Sequence, residues 1–279
     1  MRRRPYFLIT MMGFGFAFFY IPIVSMIIYS FNASRLATVW GGFSTKWYHS
    51  LMSNRQIGDA LFLSIKIALI SATVATILGA MIGIALARFR KFRTRTFFSG
   101  MVIAPLIMPE VITGISSLMF FIMLGQLIGW PGQRGFTTVL LSHITFSMVF
   151  VSTIVHARML EMDKAIEEAA MDLGSRPWQV LKDVTLPVIA PALLSGWLLA
   201  LTISLDDVVI TSFTTGPGAT TLPLLIWSKV KLGVTPDINA LAALIVVVVG
   251  VFVVLAGWIM NRFETRRLAE ERLAYQANE

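Results

Sequence analysis

The stretch EEAAMDLGSRPWQVLKDVTLP, Glu167–Pro187, separates two long apolar runs and resembles neither. Ile166, Ala169, Ala170 and Leu173 recur at i, i+3, i+4 and i+7, the apolar face of a short helix. Asp163, Glu167 and Asp172 fall mostly off that face. Gly174 is placed to end the helix as a left-handed cap. Ser175 then stands where it can N-cap a second short helix, with Pro177 in its first turn. Pro187 and Pro191 frame the start of the next apolar run. The pattern predicts two short helices bent at Gly174. By pattern alone the segment reads equally well as an ordinary amphipathic connector.

The surrounding composition says what is being connected. Hydrophobic residues make up 56% of the chain and charged residues 14%, where a soluble domain carries about 25% charged residues. Mean hydropathy is +0.77. Several windows exceed the roughly 20 apolar residues that cross a bilayer, so the expected class is an all-α integral membrane protein. Six spans are predicted, at 6–31, 57–87, 97–128, 136–157, 188–213 and 238–260. The chain contains no cysteine, which excludes disulfides and thiolate metal sites. His49, His143 and His156 are too widely spaced for a metal pair one helical turn apart. Basic residues precede the first span, but no small-residue cleavage site follows cleanly. The span is also too long for a signal-peptide core, so it reads as a retained helix.

Lysine and arginine give the orientation. The N-terminus, the loop between spans two and three, the loop between four and five, and the tail carry 16 of them, and the opposite side carries 6. Both termini are therefore predicted cytoplasmic, and the net charge of +8 is the positive-inside bias rather than a nucleic-acid footprint. Lys66 falls within span two. The expected organisation is one membrane domain, 1–279. It comprises an N-terminal span (6–31), a five-helix core (57–260) that includes the cytoplasmic loop 161–187, and a tail (261–279). That loop is expected to lie against the membrane face, with small Ala169 and Ala170 offering a shallow docking surface.

Glu168-Ala169-Ala170, three residues, Gly174, nine residues and Val184-Thr185-Leu186-Pro187 together resemble the EAA loop of ABC-importer permeases. The family pattern has Ile where Val184 stands. The resemblance extends to nearly the whole chain and implies the type I importer permease fold. It also implies a coupling role for the loop, with Glu168, Ala169, Ala170, Gly174, Leu186 and Pro187 at the contact with an ATPase. The chain has no G-x-x-x-x-G-K-[ST] and no Gly-Lys dipeptide, so it supplies no phosphate-binding loop of that kind. The expected motor is a separate polypeptide holding ATP and magnesium. This chain is expected to need no cofactor and to catalyse no bond chemistry.

Acids inside the apolar runs point to cargo. Asp206 and Asp207 lie in ISLDDVVITS, Ile203–Ser212, about 27 Å along span five at 1.5 Å per residue. Glu110 follows Pro109, with Pro105 four residues earlier, about 20 Å into span three. Intramembrane carboxylates usually face a bundle interior or an aqueous path. The prolines disrupt the helix where irregular backbone is tolerated beside a cavity. Three acids along a path favour a cation, and a polyamine presents spaced ammonium groups. Trp47 and Tyr48, in the first outer loop, are candidate cation–π partners. Other readings remain open at this point. The aspartates are also read as a solvated helix end, Glu110 as a structural partner of Lys66, and the aromatics as an interfacial belt.

The segments APLIMPEVITG, SLDDVVITSF and GPGATTLPLLIWS are similar to the putrescine and spermidine permease branch of that family, in which Asp often stands at the Glu110 position. The resemblance implies a bacterial inner-membrane permease working by alternating access. Its implied partners are a second permease, two ATPase copies, a periplasmic polyamine-binding protein and the lipid bilayer. Glu110, Asp206 and Asp207 are then candidate cargo contacts, and Gly216, Pro217 and Gly218 a candidate binding-protein contact. Rival expectations are another cargo on the same fold, a proton-coupled secondary carrier, or a scaffold whose acids merely pair.

Overall fold

The computed structural model describes residues 6–36, 39–89, 93–233 and 235–251. Regular structure among them is helical, apart from one isolated antiparallel bridge between Asn32 and Phe43. The helices are α1 (Tyr6–Tyr29), α2 (Lys46–Ser53), α3 (Arg55–Arg88), α4 (Arg95–Ile107), α5 (Glu110–Ile128), α6 (Phe136–Glu161), α7 (Lys164–Asp172) and α8 (Pro177–Val180). A π-helical turn, Leu181–Thr185, joins α8 to α9 (Leu186–Asp206), and α10 (Val209–Thr214) and α11 (Leu222–Leu232) follow. The last, α12 (Pro236–Val251), is apolar.

Five of the described helices are long and apolar enough to cross a membrane: α1, α3, α5, α6 and the continuous helix Pro177–Asp206. They correspond to the first five predicted spans. The sixth, 238–260, lies in α12 as far as Val251; its remainder and the tail 261–279 lie outside the described residues, as do Arg2, Arg3, Arg4, Arg90 and Lys91. Span three is not one helix. Met108 and Pro109 are both extended, at ψ 137° and 139°, and part α4 from α5. Proline restricts the residue before it to extended conformations, so the break falls at Met108-Pro109. Pro105 is accommodated inside α4.

The chain forms two units, residues 1–55 with 229–279, and residues 56–228. In the first, none of the residues of α1 is buried, as expected of a helix whose solvent is lipid. The loop after α1 is organised by Asn32, which is fully buried. Its amide donates to the carbonyls of Leu36 (3.3 Å) and Val39 (2.7 Å) and accepts from the N–H groups of Ser34 (3.0 Å) and Gly41 (2.8 Å).

The second unit is built around α3, α6 and α9. Ala72, Ala75 and Ala80 of α3, Val151, Val155 and Met159 of α6, and Ile189 and Ala200 of α9 form one buried cluster. Gly79 and Gly83 make the α3–α6 approach close: a Cβ on them would lie 2.7 Å from the Met148 carbonyl and 2.8 Å from the Ser152 carbonyl. This is the small-xxx-small contact of helices packed without a solvent-driven hydrophobic term. Helix α3 has 34 residues, about 51 Å, against a hydrocarbon core of about 30 Å. Lys66 is about 33 Å along the axis from Arg88, so it reaches the far boundary rather than the span interior. Its Nζ lies 4.9 Å from the centre of the Phe136 ring, in place of the ion pair with Glu110.

Candidate functional site

The EAA segment bends at Gly174 as predicted, but only its first helix, α7, is a separate short helix; α8 runs on through the π turn into α9. Asp163 caps α7 by accepting the Ala165 N–H at 2.9 Å. Gly174 has φ +88°, and the Ser175 N–H reaches back to the Ala170 carbonyl at 3.1 Å, a left-handed helix stop. The second cap differs from expectation. It is Arg176, extended at ψ 153° because Pro177 follows, and its N–H donates to Gln179 Oε1 at 2.8 Å. Nor do Pro187 and Pro191 interrupt the chain. The wide π turn carries α8 into α9, with Pro187 in the first turn of α9.

The orientation of α7 also departs from expectation. Its apolar face does not lie against the body of the protein: Leu173 is 88% exposed, and Ile166 is exposed with it. Trp178 on α8 is 69% exposed. Glu168, Ala169 and Gly174 are exposed, as is Pro187, whereas Ala170 and Leu186 are half-buried. The residue turned inward is Glu167. Its Oε2 lies 2.8 Å from Arg88 Nε at the end of α3, and its Oε1 accepts the Thr185 hydroxyl at 2.7 Å. Periodicity places Glu167 mostly off the apolar face and gives no sign of this partner.

The two aspartates part company. Helix α9 ends at Asp206, and Asp207 is extended, at ψ 125°. The Asp207 side chain is only 8% exposed. Its carboxylate accepts the N–H groups of Ile210 (3.1 Å) and Thr211 (2.7 Å) and the Thr211 hydroxyl (2.7 Å), so it starts α10 as a cap does. His143 of α6, 2% exposed, puts Nε2 3.2 Å from Asp207 Oδ2 and 2.9 Å from Thr211 Oγ1. Its Nδ1 is 2.7 Å from Ser204 Oγ, which in turn accepts from Ser71 Oγ of α3 at 3.0 Å. One polar chain thus crosses α3, α9, α6 and α10. Sequence spacing excludes His143 from a metal pair and does not disclose this role. The available signal was an ionisable ring within an apolar span.

Asp206, by contrast, is exposed, at the last residue of a helix about 30 Å long. Glu110 is also exposed and is the first residue of α5, where free backbone N–H groups favour negative charge. Helix α5 packs against α10: a Cβ on Gly114 would lie 2.5 Å from the Phe213 ring. Two helix breaks, each with an exposed carboxylate, therefore belong to packed elements.

Trp47 and Tyr48 lie in the other unit, with their polar atoms engaged. Trp47 Nε1 donates to the Asn32 carbonyl at 2.7 Å, and the Tyr48 hydroxyl pairs with Ser30 Oγ at 2.7 Å. Gly216 is pressed against the Arg134 carbonyl, where a Cβ would clash. Gly218 adopts φ +75°. Gly216 and Pro217 help to wall a cavity of about 570 Å³ with Gln126, Gln133 and Arg134. No group of three or more potential metal ligands occurs among the described residues.

Comparison with known proteins gives one answer. The family described as "binding-protein-dependent transport system inner membrane component" matches residues 79–268. The chain is 48% identical over 268 residues to the "Putrescine transport system permease protein PotI" of Escherichia coli K12, covering 96% of this chain and 95% of that one. It is 42% identical over 251 residues to the "Spermidine/putrescine transport system permease protein PotC" of the same organism, covering 90% and 92%. Its fold matches a chain of a bacterial ABC transporter "involved in the import of the acidic polysaccharide alginate". The TM-score is 0.71 at 15% identity, over 92% of this chain and 98% of that one. With the broken spans and the exposed EAA helix on the same framework, the chain belongs to the binding-protein-dependent transport system inner membrane components, the permeases of ABC importers.

Proposed function

We propose that this chain is the permease subunit of an ATP-driven polyamine importer in the bacterial inner membrane, with putrescine as its first cargo. The observation that carries the reading is similarity along 96% of the chain to a putrescine permease, joined to exposed carboxylates at both helix breaks. A carboxylate at a break exchanges an ammonium ion's hydration for acceptors without enclosing it, as conduction requires. Asp206 and Glu110 are the transient cation sites. Asp207 belongs to the pathway as the anchor that keeps the break open. Trp47 and Tyr48 contribute cation–π contacts at the outer loop; the Trp47 ring already takes the Lys46 ammonium at 4.7 Å, the contact a cargo ammonium would replace.

The exposed apolar surface of α7 and α8, with Glu168, Ala169, Ala170 and Gly174 and flanked by Leu186 and Pro187, docks into a separate ATPase that binds ATP and magnesium. A second, homologous permease completes the pathway, and two ATPase copies drive it. A periplasmic binding protein delivers cargo to the loop at Gly216, Pro217 and Gly218. ATP binding closes the motor and opens the pathway outward; hydrolysis returns it inward. The test is ATP-driven putrescine uptake into vesicles holding the assembled complex with its binding protein. Asp206→Asn and Glu110→Gln should lower uptake while assembly and basal ATPase activity persist. Unchanged uptake in both would remove the acids from the cargo path, and no polyamine uptake by wild type would overturn the substrate.

A further inference from the structure

One carboxylate joins three elements at the inner end of the second unit. Glu167 stands in the first turn of α7, Arg88 is the last residue of α3, and Thr185 is the last residue of the π turn that feeds α9. Arg88 and Glu167 meet at 2.8 Å with side chains 18% and 15% exposed. The other carboxylate oxygen takes the Thr185 hydroxyl at 2.7 Å, and Thr185 is buried. None of the residues of α7 is fully buried. The helix that presents the docking surface is therefore tied to the core at a polar point, and not by apolar packing of its own.

A covered ion pair is weak evidence for stability, since desolvation offsets much of the attraction. Its geometry says more. Both ends of the tie lead into helices of the central cluster: α3 through Arg88, α9 through Thr185. The π turn between α8 and α9 is a local widening of the kind often found at functional sites. Arg88 Nε and Nη2 are both buried without a hydrogen bond. The guanidinium thus meets Glu167 as an ion pair through Nε, and its two unsatisfied donors leave the carboxylate room to shift between them without leaving the pair.

We propose that Arg88, Glu167 and Thr185 form the transmission joint of this permease. The neighbouring glutamates divide the work: Glu168 faces outward to the motor, and Glu167 carries the displacement of α7 into α3 and α9 together. These are positioning residues that touch no cargo. The inference rests on the ATPase-docking reading of α7.

The experiment uses the full transporter with its binding protein. The chain has no cysteine, so single labels can be placed at Asp172→Cys, exposed on α7 and off its apolar face, and at Thr202→Cys on α9, each combined with Glu167→Gln. Without Glu167→Gln both labels respond to ATP. In Glu167→Gln the Asp172 label still responds and the Thr202 label falls silent. ATP hydrolysed per putrescine taken up rises about tenfold, a coupling of ordinary size. Thr185→Val gives a smaller rise, and the exchange Arg88→Glu with Glu167→Arg restores part of the coupling. The joint is overturned if both labels respond alike in Glu167→Gln, or if uptake and hydrolysis fall only in proportion to the yield of complex. A wild-type complex that purifies without any ATPase overturns the docking reading and the joint with it. A complex that hydrolyses ATP but moves no putrescine overturns the cargo alone, and the two labels still decide the joint.

Discussion

Replacing Asp207 by alanine should damage the protein in a way that replacing Asp206 does not. Asp207 accepts three hydrogen bonds from α10 and stands 3.2 Å from a buried imidazole nitrogen. Loss of a helix cap costs about 1 kcal/mol. Loss of a hydrogen bond involving a charged group costs about 1.5–3 kcal/mol. Asp207→Ala is therefore expected to lose roughly 2.5–4 kcal/mol, the cap and the His143 interaction together. For a chain of this size that corresponds to a drop of roughly 10 °C in melting temperature. Asp207→Asn keeps one acceptor oxygen and should fall between alanine and wild type. Asp206→Ala should leave the melting temperature unchanged and lower uptake. The assay is thermal unfolding of the purified complex in detergent, followed by intrinsic tryptophan fluorescence, with putrescine uptake measured in parallel. Equal melting temperatures for Asp207→Ala and Asp206→Ala would refute the division between anchoring and open carboxylate.

Other expectations rest on separate contacts. Gly79→Leu would drive a side chain into the Met148 carbonyl and Val151, an overpacking cost of about 1–3 kcal/mol or more; the amount of folded protein in the membrane should fall, and normal accumulation would count against the α3–α6 packing. Leu173→Glu changes an 88% exposed residue. It should leave the permease folded but weaken ATPase binding, read by co-purification, by about thirtyfold, the size of a hot-spot loss of about 2 kcal/mol. Asn32→Ala removes four hydrogen bonds within the loop after α1. Limited proteolysis should then cut between Phe31 and Phe43 much faster, while the rest of the chain stays intact. Gly216→Val meets the Arg134 carbonyl and should abolish stimulation of ATP hydrolysis by the binding protein while leaving basal hydrolysis in place.

Much of this was legible in the residues. Apolar runs longer than a bilayer's thickness dictate helices, because hydrocarbon offers no partner for backbone N–H and C=O groups. Gly174 at a left-handed stop and Asp163 at a helix start are local signals and fell where spacing put them. The breaks are local too. Pro109 parts α4 from α5 whatever surrounds it, although the sequence alone did not choose between Pro105 and Pro109 as the breaking residue.

What the residues could not disclose is which of two adjacent, chemically identical groups turns inward. Asp206 and Asp207, and likewise Glu167 and Glu168, differ only in position, about 100° apart where the helix continues. Each buried member is defined by a partner distant in sequence: His143 from α6 for Asp207, Arg88 from α3 for Glu167. Helix periodicity sets Glu167 mostly off the apolar face and leaves Asp207 open to a solvated or pathway reading, and it names no buried partner for either. The sequence by itself determined the five long apolar helices, the stop at Gly174 and the presence of acids at the breaks, because those depend on length, hydropathy and local backbone preference. Tertiary structure alone decided which acid anchors and which is free, because burying a carboxylate depends on a donor that only the packing of other helices brings within reach.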